Sequence, residues 1–120
     1  MVRDVRDHLV DKAERARAAG VEEIWIDPGI GFGKTREHNL RLLAHLDELV
    51  ATGWPVVVGT SRKGFLGGLL AESDGVAEVP TDDRLEGSLA TATWAMAQGV
   101  RMVRAHDVRP MAHAAKVVAA

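Results

Sequence analysis

Five side chains in this sequence have types and neighbours suited to chemistry: Asp27, Arg62, Lys63, Arg104 and His106. Asp27 opens the stretch DPGIGFGKT, residues 27–35. An ionised aspartate only accepts hydrogen bonds, so it suits a ligand with neighbouring N–H donors, such as an aminopyrimidine edge. Pro28 would fix the backbone behind it, the glycines would let ligand and chain approach closely, and Phe32 would offer an apolar wall. The same residues also describe an aspartate capping a turn beside a packed phenylalanine. Thr60-Ser61-Arg62-Lys63 brings two hydroxyls and two cations to the start of a helix, which is an anion site or a solvated basic turn. In RAHD, residues 104–107, Arg104 and His106 share one face of a strand, and an arginine fork beside an imidazole suits a phosphate or pyrophosphate. One histidine with an aspartate facing the other way is not a metal-ligand set.

DPGIGFGKT ends as a nucleotide-binding phosphate loop ends, in Gly-Lys-Thr, but its spacing is wrong. The position where that loop requires its first glycine holds Pro28, and a dinucleotide fingerprint begun at Gly29 and Gly31 reaches Lys34 where a third glycine belongs.

The elements that must position these residues alternate. Helical periodicity predicts a helix from about Val2 to Ala19, then a short strand at Glu23–Ile26 leading into Asp27. A second helix is expected from Arg36 to Ala51, capped by Thr35, with Leu40, Leu43, Leu46 and Leu49/Val50 as its apolar stripe. PVVVG, residues 55–59, reads as a strand buried on both faces. A turn and short helix follow it, then a surface loop, a helix from Asp82 to Gln98, a strand at Arg101–Ala105, and a last helix with Pro110 in its first turn. Strands separated by helices imply a parallel sheet, and such sheets gather ligands at the carboxyl ends of their strands. All five side chains fall on those ends. His8, His38, His45 and His113 read as helix-surface residues, and Trp25, Trp54 and Trp94 as packing.

The three blocks DPGIGFGKT (27–35), GTSRKGFLG (59–67) and RAHDV (104–108), in this order and spacing, resemble the dihydropteroate synthase family. A pterin-binding methyltransferase domain of the same fold would not be expected to carry the Ser-Arg-Lys block in this form. The resemblance implies an α/β fold: the carboxyl-terminal half of a (β/α)8 TIM barrel, whose full length is about 250 residues. On this reading residues 1–120 form one partial pterin-binding barrel domain, roughly strands six to eight, with about three parallel strands and four main helices. It further implies the condensation of 6-hydroxymethyl-7,8-dihydropterin pyrophosphate with p-aminobenzoate to 7,8-dihydropteroate and pyrophosphate. By the same resemblance, Asp27, Gly59 and Lys63 would hold the pterin. Gly31, Phe32, Ser61, Arg62 and Gly64 would line the p-aminobenzoate pocket. Arg104 and His106 would bind pyrophosphate and, with Lys63, act in catalysis. Some members carry serine after the lysine, where Gly64 has only its backbone N–H and the helix dipole to offer a carboxylate. The family also implies Mg²⁺, with its main protein ligand in the amino-terminal half, a homodimer through the last three helices, and sulfonamides as inhibitors. No protein nucleophile is required.

Bulk properties narrow the alternatives. The chain has 120 residues, 47% apolar and 27% charged, with a formal charge of −2 and no cysteine. That charge gives no reason to expect nucleic acid or an anionic membrane as partner. No apolar run approaches the roughly 20 residues of a membrane span. With no readable signal peptide and no disulfide, a cytoplasmic protein is expected. Half of a barrel would have little or no synthase activity alone. The competing expectations are a non-catalytic half-barrel assembly module and a pterin-binding paralogue without synthase activity.

Overall fold

The charged N-terminal stretch forms α1 (Val2–Ala18) in the computed structural model, which describes all of residues 1–120. Ala13 is the buried contact of α1, with Val2, Val5 and Leu9 packed partly against the same core. Its other faces carry charge to solvent, as an amphipathic helix must. Ile26 then makes a parallel bridge to Val56, but the residues before it form no continuous strand.

Helix α2 (Arg36–Ala44) begins where expected, with Thr35 Oγ1 accepting the His38 N–H at 3.1 Å. Replacing Thr35 by alanine leaves that donor unpaired and is expected to cost about 1 kcal/mol. Urea denaturation would show this, and an unchanged midpoint would mean that the cap contributes nothing. The single expected helix to Ala51 is broken at His45, whose φ of −117° leaves the helical region before α3 (Leu46–Val50) starts. The break shifts the apolar stripe: Leu42, Leu43, Leu46 and Leu49 are buried, whereas Leu40 is exposed.

Strand β1 (Val57–Val58) pairs in parallel with β2 (Met102–Val103), in the register Val57 to Met102 and Val58 to Val103. With the Ile26 bridge, three segments run side by side in the order Ile26, β1, β2. Val56 and Val58 enter the core, but Val57, on the other face, is only half-buried. The expectation of burial on both faces is therefore met on one face only. Around the sheet follow α4 (Gly64–Asp74), a 3-10 turn (Thr81–Asp83), α5 (Leu85–Ala97) and α6 (Val108–Ala119). Arg84, with φ −118°, separates the 3-10 turn from α5, so the helix expected from Asp82 is two elements. No helix is long and apolar enough to cross a membrane.

The core lies between the sheet and its helices: Ile26, Ile30, Leu42, Leu43, Leu46, Leu49, Val56 and Val58, closed by Ala95 and Val100. The Cα radius of gyration is 15.1 Å, against about 13.6 Å for a compact domain of this length. The molecule is accordingly a slab, 49 × 32 × 20 Å, with Ile26 and β2 as open sheet edges. An open parallel edge carries unpaired backbone groups that another chain segment can meet.

Candidate active site

The three strand ends converge. Asp27, just past the Ile26 bridge, accepts the Gly29 N–H on Oδ1 at 2.8 Å and the Arg104 Nη2 donor on Oδ2 at 2.8 Å. The turn that follows is anchored by Ile30, which is buried, and by Asn39, whose Oδ1 accepts the Gly31 N–H at 2.9 Å. Lys34 turns its ammonium back onto the carbonyls of Gly29 (3.0 Å) and Phe32 (3.2 Å). The lysine of Gly-Lys-Thr thus clips its own loop together, and Phe32 stands out from the clip, 64% exposed.

Lys63 crosses beneath this loop. Its Nζ donates to the Ile30 carbonyl and lies 4.5 Å from the centre of the Phe32 ring, a cation–π contact. A Cβ on Gly31 would come within 2.7 Å of Lys63 Cδ, so only glycine leaves room for the lysine stem. At Gly59 the fit is looser: the Arg104 guanidinium lies 3.2 Å from where a Cβ would stand, a tight contact that a small shift would relieve. Burial lowers the Lys63 pKa below the ordinary lysine value, and the nearby Arg104 charge lowers it further, while Asp27 opposes the shift.

Ser61 and His106 meet across the other side. Ser61 Oγ accepts the His106 backbone N–H at 3.0 Å and lies 2.8 Å from His106 Nδ1. With Ser61 donating, Nδ1 accepts and Nε2 carries the proton; in the imidazolium both ring nitrogens donate. In these two states Nε2 is a donor, suited to a phosphate oxygen; with Nδ1–H donating to Ser61 Oγ instead, Nε2 accepts. Thr60, also buried, is fixed by Thr91 Oγ1 at 2.7 Å.

These residues enclose a cavity of about 230 Å³ lined by Phe32, Gly59, Ser61, Lys63, Arg104, Ala105 and His106. A larger cavity of about 560 Å³ follows the free edge of β2 beneath α6, but its lining is apolar apart from Arg101. The chemistry lies with the smaller one: Lys63 and Arg104 are cationic, His106 adds an imidazole, and Phe32 supplies a flat apolar wall. That combination fits a planar ligand carrying an anion. Asp27 borders it through Arg104. Gly31 lies behind Lys63, and Gly64 begins α4 with its own Cβ position open to space.

Arg62 does not line this cavity. Its guanidinium forks onto Asp107, Nη2 to Oδ1 at 2.8 Å and Nε to Oδ2 at 3.2 Å. The hydrogen bond holds the Asp107 carboxyl below its usual range and raises Arg62 above the ordinary arginine value. Asn39 and Ser88 were not singled out by the sequence reading, although a signal existed. Asn39 stands three and four residues before buried Leu42 and Leu43, and Ser88 four and seven before buried Ala92 and Ala95. A polar residue on the buried stripe of a helix must find a partner. Asn39 finds the Gly31 N–H and Ser88 the Arg62 N–H, the latter at 2.9 Å. No three histidine, aspartate or glutamate side chains gather as a metal site; both Asp107 oxygens are engaged by Arg62, and those of Asp27 by Arg104 and the Gly29 N–H. The residues present do not fit a magnesium ion.

A family profile described as "Pterin binding enzyme" matches residues 1–106. The chain belongs to the pterin-binding enzyme family. It is 47% identical over 122 residues to the dihydropteroate synthase of Mycobacterium leprae, covering 100% of this chain and 43% of that protein. It is 46% identical over 110 residues to the inactive dihydropteroate synthase 2 of Mycobacterium leprae, covering 90% of this chain and 35% of that one. Its α/β fold matches the Thermus thermophilus dihydropteroate synthase solved with 4-aminobenzoate, with TM-score 0.87 and 45% identity over 98% of this chain and 44% of that one. The same Thermus protein in complex with 6HMPPP gives a TM-score of 0.86. The chain therefore spans roughly two-fifths of the length of the relatives it matches.

Proposed function

We propose that residues 1–120 form the carboxyl-terminal half of a dihydropteroate synthase barrel and carry part of its pterin site with most of its p-aminobenzoate and pyrophosphate sites. The observation that carries this is the convergence of Lys63, Arg104 and His106 on one cavity walled by Phe32, with Asp27 bound to Arg104 at its border. The two ligand complexes of the Thermus relative support it.

In this reading Asp27 takes the 2-amino and ring N–H edge of the pterin, and Lys63 reaches the ring from the other side, with Gly59 giving room. Phe32, Gly31 and Ser61 form the p-aminobenzoate wall, and the Gly64 N–H at the start of α4 meets its carboxylate. Arg104 and His106 Nε2 hold the pyrophosphate. The bond from the pterin methylene carbon to the pyrophosphate oxygen breaks, its electron pair leaving with pyrophosphate while a cation develops on the pterin. Arg104 and His106 stabilise the departing charge, and the Asp27 carboxylate stabilises the positive charge developing on the pterin. The arylamine nitrogen then bonds the methylene carbon and loses a proton. Magnesium, a homodimer through the last three helices and a cytoplasmic setting come with the family resemblance.

Two sheet edges are open and roughly two-fifths of the relatives' length is present, so the chain alone should form no dihydropteroate. A chimera in which it replaces the matching residues of the Mycobacterium leprae synthase should form it. A chimera that folds, binds both substrates and stays inactive would overturn the reading in favour of a paralogue without synthase activity. The 46% identity to the inactive Mycobacterium leprae protein makes that the second reading.

A further inference from the structure

We propose that Arg62 is a positioning residue: by clamping Asp107 it continues the sheet register past the last backbone bond and aims the His106 ring into the cavity. This rests on the reading of Arg104 and His106 as the pyrophosphate site. Within the sheet, Val57 pairs with Met102 and Val58 with Val103. The last backbone bond between these strands runs from the Arg104 N–H to the Val58 carbonyl at 3.0 Å. Beyond it, Ser61 meets His106 and Arg62 meets Asp107, both 45 residues apart in sequence, the same offset as the strand pairs. Side chains thus take over the ladder where the backbones part.

Arg62 is built into this place from both sides. It is the one non-glycine residue with positive φ, +58°, a conformation that glycine adopts far more easily. Ser88 Oγ accepts its N–H at 2.9 Å, and Arg84 Nη1 donates to its carbonyl at 2.8 Å. Ser88 is fully buried and its hydroxyl donates to the Arg84 carbonyl at 2.9 Å, so the start of α5 cradles the turn. A turn that only had to bend would be better served by glycine. An arginine there is explained by its fork, which two hydrogen bonds fix in direction as well as distance. With Asp107 held, the preceding residue cannot swing, and Ser61 grips both the His106 backbone N–H and its ring.

The test uses Arg62→Gln, Arg62→Gly, Asp107→Asn and the double variant Arg62→Gln/Asp107→Asn. Binding of inorganic pyrophosphate is followed by calorimetry, and the His106 side-chain rotamer by NMR on ¹⁵N-histidine-labelled chain. Each single variant is expected to weaken pyrophosphate about tenfold, as loss of a residue orienting a ligand group does. The double variant should be no weaker than either single, because both remove one clamp. Arg62→Gly separates the roles: relief of the backbone should keep or raise the melting temperature while binding still falls and His106 averages over rotamers. Wild-type binding in Arg62→Gln and Arg62→Gly with a fixed His106 would overturn the proposal, as would additive losses in the double variant. If the wild-type chain binds no pyrophosphate, the leaving-group reading fails. The clamp is then decided by NMR alone, a His106 rotamer unchanged in Arg62→Gln overturning it.

Discussion

Replacing Arg104 by alanine is expected to weaken pyrophosphate binding about 100-fold, because two effects act in the same direction. The first is loss of the guanidinium: one charge-assisted hydrogen bond to phosphate contributes about 1.5–3 kcal/mol, and each 1.4 kcal/mol is tenfold in affinity. The second is release of Asp27. Its Oδ2 is held at 2.8 Å by Arg104 and its side chain is only 32% exposed. Without the guanidinium, an uncompensated carboxylate faces the incoming anion. Lysine at this position restores charge but not the fork, so Arg104→Lys should recover only part of the loss. Folding should hardly change, since the Arg104 side chain is 58% exposed and ion pairs of that kind contribute about 1 kcal/mol or less. Calorimetry with pyrophosphate and a thermal melt on the same sample separate the two. An Arg104→Ala chain that binds within about threefold of wild type would remove Arg104 from the leaving-group site, since that loss is under 1 kcal/mol.

Much of this site could be read from the sequence. Alternation of helix and strand placed Asp27, Lys63, Arg104 and His106 at strand ends, and their convergence follows from the parallel pairing of Ile26, β1 and β2. Thr35 was legible because a cap is a local matter, decided within four residues. What was not legible is contact across register. That Arg62 would turn to Asp107, 45 residues on, depends on which residue of β1 faces which of β2, and a pattern of apolar positions does not specify that. The break at His45 and the one at Arg84 were hidden for a different reason. Their flanks keep helical composition, and the interruption shows only in the backbone angles. Gly-Lys-Thr misleads as a string because a lysine's partners are set by folding: Lys34 faces its own carbonyls, where a phosphate-loop lysine faces a ligand.

Gly31→Ala should lower stability by about 2–3 kcal/mol and move Lys63 out of the site. Gly31 has φ +85°, where an L-residue is disfavoured by about 1–2 kcal/mol. Its new Cβ would also stand 2.7 Å from Lys63 Cδ, well inside contact distance. The backbone at Gly31 cannot yield easily, because its N–H is tied to buried Asn39 and the preceding Ile30 lies in the core. The lysine stem must therefore move, giving up the Ile30 carbonyl and its place under the Phe32 ring. On the proposed assignment of Lys63 to the pterin, pterin pyrophosphate should then bind about tenfold more weakly, the effect of one charge-assisted hydrogen bond. The strain and clash terms can be told apart with Lys63→Ala. In the Gly31→Ala background that second change removes the obstructing stem, and part of the lost melting temperature should return, a non-additivity expected of residues in contact. If Lys63→Ala returns nothing, backbone strain alone accounts for the damage. If Gly31→Ala melts like the wild type, neither the left-handed turn nor the lysine's close passage constrains the loop, and glycine at 31 has no structural reason to be there.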